Sequence, residues 1–281
     1  MFLSSLILEG GGMRGVYTAG VLDFFLDVNL EFKTVIGVSA GACNACSYIS
    51  KQKGRNYHIN TDYLKNPEYL SFRNLLTKKS AFGMDFIFDD IPNKLNKFDY
   101  NAFHNSKSKL IAVSSNIESG LPLYYPINDM VNDIDYIKAS ISIPLLAKIV
   151  EVDSHKLLDG GICDSIPIAY AQSLGYEKSV VILTRDPLYR KGKNKLMPLI
   201  KSVYKEYPNF VKAVETRHMN YNNSLNLISL LKHQKKVFVI QPKKEVQISQ
   251  LEKNKDKLTD LYKQGYQDAK DAYEDLVSFL K

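Results

Sequence analysis

The sequence predicts an α/β protein built around a mostly parallel central sheet, and three observations carry that prediction. A short apolar run followed by glycines, at residues 3–9, and a β-branched run at residues 34–38 have the length of buried strands. Helical segments lie between and after them: Val16, Ala19, Leu22, Phe25 and Leu26 recur at helical spacing, and residues 40–50 form a run of small, helix-compatible side chains. Strand, helix, strand, helix at this separation requires right-handed crossovers, which set consecutive strands parallel.

The remaining elements follow in order. Across residues 51–103 the periodicity fades; aromatics mix with Asn, Asp and Lys, and Pro67 and Pro92 break any long element, so this stretch is expected to be an insertion or cap. Residues 109–114 read as a strand and 123–126 as a shorter one, and 134–142 as a helix stopped by Pro144. Residues 147–152 and 156–158 read as a hairpin turning at Asp153-Ser154-His155. Pro167 ahead of residues 169–174, with Gly175 behind them, has the Pro-in, Gly-out asymmetry of a short helix. Residues 178–183 and 237–240 read as strands, 187–231 as largely helical, and 251–281 as one or two amphipathic helices rich in Lys, Asp and Tyr.

Composition narrows the function classes. The 281 residues are 45% hydrophobic and 24% charged, ordinary for a globular chain. No apolar run approaches the ~20 residues that span a bilayer. Residues 1–9 carry neither a basic n-region nor a small-residue cleavage site, so they read as a first strand, and the expected location is the cytoplasm. Lys and Arg total 37 against 30 Asp and Glu, a net charge of +7. The excess gathers at Arg190, Lys191, Lys193 and Lys195 and again at Lys232, Lys235, Lys236, Lys243 and Lys244. Such a face suits either a solvated surface or peripheral contact with an anionic membrane; no nucleic-acid-binding motif accompanies it. Cys43, Cys46 and Cys163 are an odd set without a secretory signal, which argues against a disulfide framework. The C-x-x-C of Cys43 and Cys46 falls in a small-residue helix and reads as packing rather than redox chemistry. No His/Cys/carboxylate cluster has metal-ligand spacing, and no cofactor is expected.

Three segments carry chemistry. Gly10-Gly11-Gly12-Met13-Arg14-Gly15 follows a strand and precedes a helix, satisfying G-x-G-x-x-G. A dinucleotide site would also want an acidic residue at the end of the second strand. That strand ends instead in Ser39, while Asp27 and Glu31 lie before it. Gly37-Val38-Ser39-Ala40-Gly41 is a G-x-S-x-G between strand and helix, the setting of a nucleophile elbow, and the helix N-terminus favours an alkoxide-like serine. With Ser39 as nucleophile, the first glycine loop gains a role as a nest of N–H donors for a tetrahedral oxyanion. Asp159-Gly160-Gly161 sets a carboxylate at a strand end, suited to a general base. A histidine triad would draw on His218 or His233, both in a Lys/Asn-rich helical stretch and read as surface residues.

These three blocks in this order, with Ala139-Ser140-Ile141-Ser142-Ile143-Pro144 ahead of the aspartate, resemble the signature blocks of patatin-like phospholipases. The resemblance covers residues 1–185, and residues 186–281 resemble the helical C-terminal extension of bacterial patatin-like proteins, packed on the same domain. It implies a three-layer α/β/α fold and a Ser–Asp dyad without histidine. Ser39 is then the nucleophile, set in an elbow by Gly37 and Gly41. Asp159 is its base, supported by Gly160 and Gly161. The loop from Gly10 through Gly11, Gly12 and Arg14 to Gly15 forms the oxyanion hole. Many relatives carry Asn six residues past the aspartate, where this chain has Ser165. The expected activity is hydrolysis of carboxylic esters, chiefly lipid acyl esters, through an acyl-enzyme. The rivals are a Ser–Asp–His esterase, a nucleotide- or phosphate-binding module using residues 10–15, and a basic membrane-surface adaptor.

Overall fold

The computed structural model describes residues 2–281, with the backbone alone for Leu3, Phe72 and Lys78. Met1, at the head of the expected first strand, lies outside them. The chain opens with β1 (Phe2–Leu8), α1 (Gly15–Asp27), β2 (Phe32–Val38) and α2 (Ala40–Ile49). Three short helices, α3 (Arg55–Thr61), α4 (Phe72–Lys78) and α5 (Tyr100–His104), then surround a π-helix at Phe86–Leu95 that contains Pro92. β3 (Lys109–Asn116), β4 (Pro122–Ile127), α6 (Ile134–Ser140), β5 (Val150–Val152) and β6 (His155–Asp159) follow. The chain ends with α7 (Ile168–Ser173), β7 (Ser179–Ile182), α8 (Met197–Val203), α9 (Pro208–His233), β8 (Val237–Ile240), α10 (Lys255–Asp271) and α11 (Tyr273–Leu280).

One sheet of eight strands holds these elements together. Its centre is parallel, with β3, β2, β1, β7 and β8 side by side, and β4 and the β5–β6 hairpin add antiparallel pairs beyond it. Alternation along the strands divides the core between two faces. Leu6 and Leu8 of β1 pack with α1, α2 and α10, whereas Ile7 between them packs with α7 and α9. Val180 and Ile182 of β7 likewise face one layer and Val181 the other. Helices therefore cover both faces of the sheet, a three-layer α/β/α fold. The elements drawn from the C-terminal third join it directly: β8 pairs with β7, and α10 lies along α1.

Residues 187–196, expected to be helical, instead run as an irregular segment into α8. Asn222 of α9 explains the local departure: its side chain accepts from the Lys191 N–H at 2.9 Å and donates to the Lys191 carbonyl at 3.1 Å, satisfying the backbone that a helix would have paired. Among the described residues, no helix is long and apolar enough to cross a membrane.

Candidate active site

Ser39 sits at the abrupt junction of β2 and α2, with φ 54° and ψ −123°. That backbone region is nearly closed to side-chain-bearing residues and costs about 1–3 kcal/mol, so the surroundings must hold it. They do so through Ser140 at the end of α6. The Ser39 N–H donates to Ser140 Oγ at 2.9 Å, and that hydroxyl donates in turn to the Val113 carbonyl of β3 at 2.6 Å. Space is equally tight. A Cβ on Gly37 would lie 2.5 Å from Ala42 Cα, and one on Gly41 would overlap the Leu8 carbonyl, so α2 can follow β2 this sharply only with glycine at both places.

Asp159 reaches Ser39 through strand pairing. Val113 of β3 pairs with Val38 on one side and Tyr124 on the other; the next residue, Ser114, pairs with Asp159 and Leu123. β4 thus keeps one edge of β3 throughout, while on the opposite edge β6 takes over where β2 stops. The two strands meet end to end, and the residues closing them face each other. Ser39 Oγ donates to Asp159 Oδ2 at 2.6 Å, and the Gly161 N–H donates to Oδ1 at 2.7 Å. Both side chains are nearly buried, 6% and 5% exposed. Burial pushes the Asp159 carboxyl above its ordinary value, opposed by the Ser39 hydroxyl, the Arg217 charge and the Gly161 amide. Its backbone is pinned as well, accepting from Ser115 Oγ at 2.8 Å and donating to the Ser142 carbonyl at 2.8 Å. Gly160 lies against the Val113 carbonyl, where a Cβ would overlap it. Ser165 donates to the Gly161 carbonyl at 2.7 Å, and Arg217 Nε donates to the same oxygen.

The first glycine loop closes over this pair. A Cβ on Gly10 would fall 3.1 Å from Ser39 Cβ, and one on Gly15 2.8 Å from Ala40 Cβ. Among the described residues, no protein group accepts from the amides of Gly10, Gly11 or Gly12, which leaves them free beside the serine. The loop is held from the far end of the chain: the Met13 N–H donates to the Gln250 carbonyl at 3.1 Å, and Arg14 Nη1 donates to the Ile248 carbonyl at 3.3 Å.

Two cavities meet at Ser39. One, of ≈ 140 Å³, is walled by apolar side chains including Met13, Phe82, Phe88, Phe98, Met130 and Ile137. Its aromatic wall comes from residues 51–103. The other, of ≈ 50 Å³, is polar and also touches Asp159, the three loop glycines and Arg14.

A family model described as Patatin-like phospholipase matches residues 6–171, more than half of the chain. The chain belongs to the patatin-like phospholipase family. A second family model, described as a domain of unknown function (DUF6363), matches residues 207–281. The uncharacterized protein YjjU of Escherichia coli (strain K12) is 30% identical over 185 residues, which cover 64% of this chain and 51% of YjjU. The chain thus spans about half the length of that curated relative. Among solved structures, VipD from Legionella pneumophila aligns with a TM-score of 0.50 at 13% identity, over 98% of this chain and 67% of VipD, a likeness of fold alone.

Within the patatin-like fold, the remaining candidates separate from the serine. His218 is tied locally to the Glu215 carbonyl, His58 pairs with Asp62, and no histidine lines either cavity. Asp27 pairs with Lys53 and Glu31 with Lys51, away from the glycine loop. Cys43 and Cys46 are free thiols; burial pushes the Cys43 thiol up to about 12 and that of Cys46 higher still. Sequence reasoning did not single out Ser140, Lys191 or Arg217 as site residues. Ser140 carried a signal, since it stands in the block ahead of the aspartate. Arg217 lies mid-helix and Lys191 in a basic run, and neither position is marked by local spacing.

Proposed function

We propose that this protein is a lipid acyl hydrolase that works through a Ser39–Asp159 dyad. The observation that carries this reading is the 2.6 Å hydrogen bond from Ser39 Oγ to Asp159 Oδ2, made where an apolar cavity opens onto the serine. Asp159 takes the hydroxyl proton as Ser39 Oγ attacks the acyl carbonyl carbon. The carbonyl oxygen becomes an oxyanion received by the free amides of Gly11 and Gly12, donors worth roughly 3–4 kcal/mol each in comparable sites. Collapse breaks the bond to the leaving alcohol, which takes the proton from Asp159 and departs. Water then attacks the acyl-enzyme with Asp159 again as base, releasing the fatty acid and restoring Ser39. The apolar cavity suits the acyl chain, and the aromatic wall from residues 51–103 excludes water from it.

The test is labelling with a fluorophosphonate followed by mapping of the modified residue. Modification at Ser39, abolished in Ser39→Ala and retained in the His218→Ala/His233→Ala double variant, is the expected result. An unlabelled but folded wild-type protein sinks the proposal, and loss of labelling in the double histidine variant favours the triad.

A further inference from the structure

We propose that Lys191 and Arg217 of the C-terminal region join Arg14 and Arg185 in an anion subsite beside Ser39 that selects esters whose leaving alcohol carries a phosphate monoester. The proposal rests on the hydrolase reading and adds the identity of the group that leaves. Its basis is the polar cavity, which shares Gly12, Ser39 and Ile143 with the apolar one. Four cationic side chains line that cavity, Arg14, Arg185, Lys191 and Arg217, against two carboxylates, Glu9 and Asp159. Neither carboxylate neutralises them by contact. Glu9 is already engaged by neutral donors, the Thr184 N–H at 2.6 Å, Thr184 Oγ1 at 3.0 Å and the Tyr221 hydroxyl at 2.7 Å. Asp159 is engaged by Ser39 and Gly161. Among the described residues, none of the four cations forms an ion pair, and the buried Nε atoms of Arg14 and Arg185 have no hydrogen-bond partner.

Four cations against two carboxylates leave an excess of positive charge in a small space, which a bound anion would offset. The Lys191 ammonium shows the tension: it rests on the Tyr221 ring, 4.5 Å from the centroid, and burial together with the Arg217 charge depresses its pKa to about 7. A phosphate here would take charge-assisted hydrogen bonds from several arms at once. The cavity of ≈ 50 Å³ admits such a compact dianion, whereas a headgroup bearing its own ammonium would bring a fifth cation against the four. Ester geometry agrees, because the acyl chain and the leaving alcohol extend to opposite sides of the attacked carbon and the two cavities meet at Ser39. Arg217 and Tyr221 lie within the domain of unknown function, which thereby acquires a role in choosing substrate.

The experiment measures kcat/KM of the full chain on three soluble esters with one acyl chain: hexanoyl glycerol phosphate, its phosphocholine counterpart and uncharged hexanoyl glycerol. Wild type should prefer the phosphate monoester by about tenfold or more, the scale of one hydrogen bond to a charged group. That preference should collapse toward unity in Lys191→Met and in Arg185→Gln. It is taken as a ratio within each variant, so a general loss of turnover cancels. Equal constants for the three esters in an active wild type overturn the proposal. So does competitive inhibition by inorganic phosphate without any preference for the phosphorylated ester, which would mark a site for the free anion. No turnover of any ester, with no fluorophosphonate labelling of Ser39, would overturn the hydrolase reading and take the subsite assignment with it.

Discussion

Gly20 of α1 and Gly265 of α10 face each other's helices so closely that neither can carry a side chain. A Cβ on Gly20 would overlap the Tyr262 carbonyl, and one on Gly265 would overlap the Tyr17 carbonyl. The crossing is then secured by tyrosines: Tyr17 donates to Asp268 at 2.9 Å and Tyr262 to Asp23 at 2.7 Å. α1 starts at the end of the first glycine loop, so this contact couples the last quarter of the chain to the first glycines. Gly20→Ala and Gly265→Ala should each lower stability by about 1–3 kcal/mol through overpacking, read as a fall in Tm. A pair of unchanged melting curves would mean that the helices separate without cost.

The backbone at Ser39 offers a second measurement. Ser39→Gly and Ser39→Ala both remove the hydroxyl, and so share whatever follows from leaving Asp159 without that donor. They differ in the cost of φ 54°, which falls on alanine alone. The glycine variant should be the more stable by roughly 0.5–2 kcal/mol, after allowing for its greater entropy when unfolded. Chemical denaturation of the pair decides it.

Ser140 should matter out of proportion to its size. Its hydroxyl is fully buried and links the Ser39 amide to the Val113 carbonyl. Ser140→Ala leaves both groups unpaired, at a cost of about 2–4 kcal/mol. Esterase turnover should fall more than the affinity for substrate, since the loss acts on the orientation of the serine. A kcat within twofold of wild type contradicts that expectation.

In the proposed dyad, Asp159 links activity to pH. Its folded pKa is raised, chiefly by burial, above the unfolded value of about 3.9. Folding therefore favours the neutral carboxyl: the favourable contribution is complete below the unfolded pKa and is lost as pH rises through the folded one. Two results follow. The acid limb of the kcat/KM profile should have its midpoint above the ordinary carboxylate value, because only the ionised form accepts the serine proton. Asp159→Asn, which can keep contacts to Ser39 and Gly161, should raise Tm at neutral pH while removing turnover. A lowered Tm in that variant would show that the ionised carboxylate stabilises the fold.

The thiols of Cys43 and Cys46 should resist alkylation in the native state. Burial disfavours their thiolates, which are the reactive forms. Iodoacetamide at mildly alkaline pH should modify both only after denaturation; rapid native labelling of either would reopen the redox reading.

The strands were legible where sequence and packing say the same thing. β2 and β7 are central strands, almost wholly buried, and their β-branched runs announce such strands without ambiguity. Residues 51–103 were opaque because they fold as short helical pieces and irregular turns, several of which line the apolar cavity. The π-helix at Phe86–Leu95 tolerates Pro92 and places Phe88 in the cavity wall, and no regular period records such an arrangement. Ser39 and Asp159 lie 120 residues apart, so no local pattern joins them, and only the order of motif blocks pointed to the pair. Lys191 shows the opposite limit. In sequence it belongs to a basic run that reads as a wet face, yet Asn222 fixes its backbone and its side chain turns into the polar cavity. Partner positions in α9 decide that orientation, and they lie too far along the chain for local reading.

Because β2 and β6 abut along a single edge of β3, the gap between hydroxyl and carboxylate is measured by the ladder of main-chain amides, with the Ser140 hydroxyl pinning its serine end, and not by the cavity walls. Cavity walls can therefore be exchanged wholesale, including the aromatic stretch before β3, and the reactive spacing survives. One extra residue between Val113 and Ser114 would do what no wall substitution does. It would turn the far half of β3 over and carry Asp159 out of reach of its partner. Engineering of new specificity in this scaffold has wide freedom around the cavities and almost none along that strand.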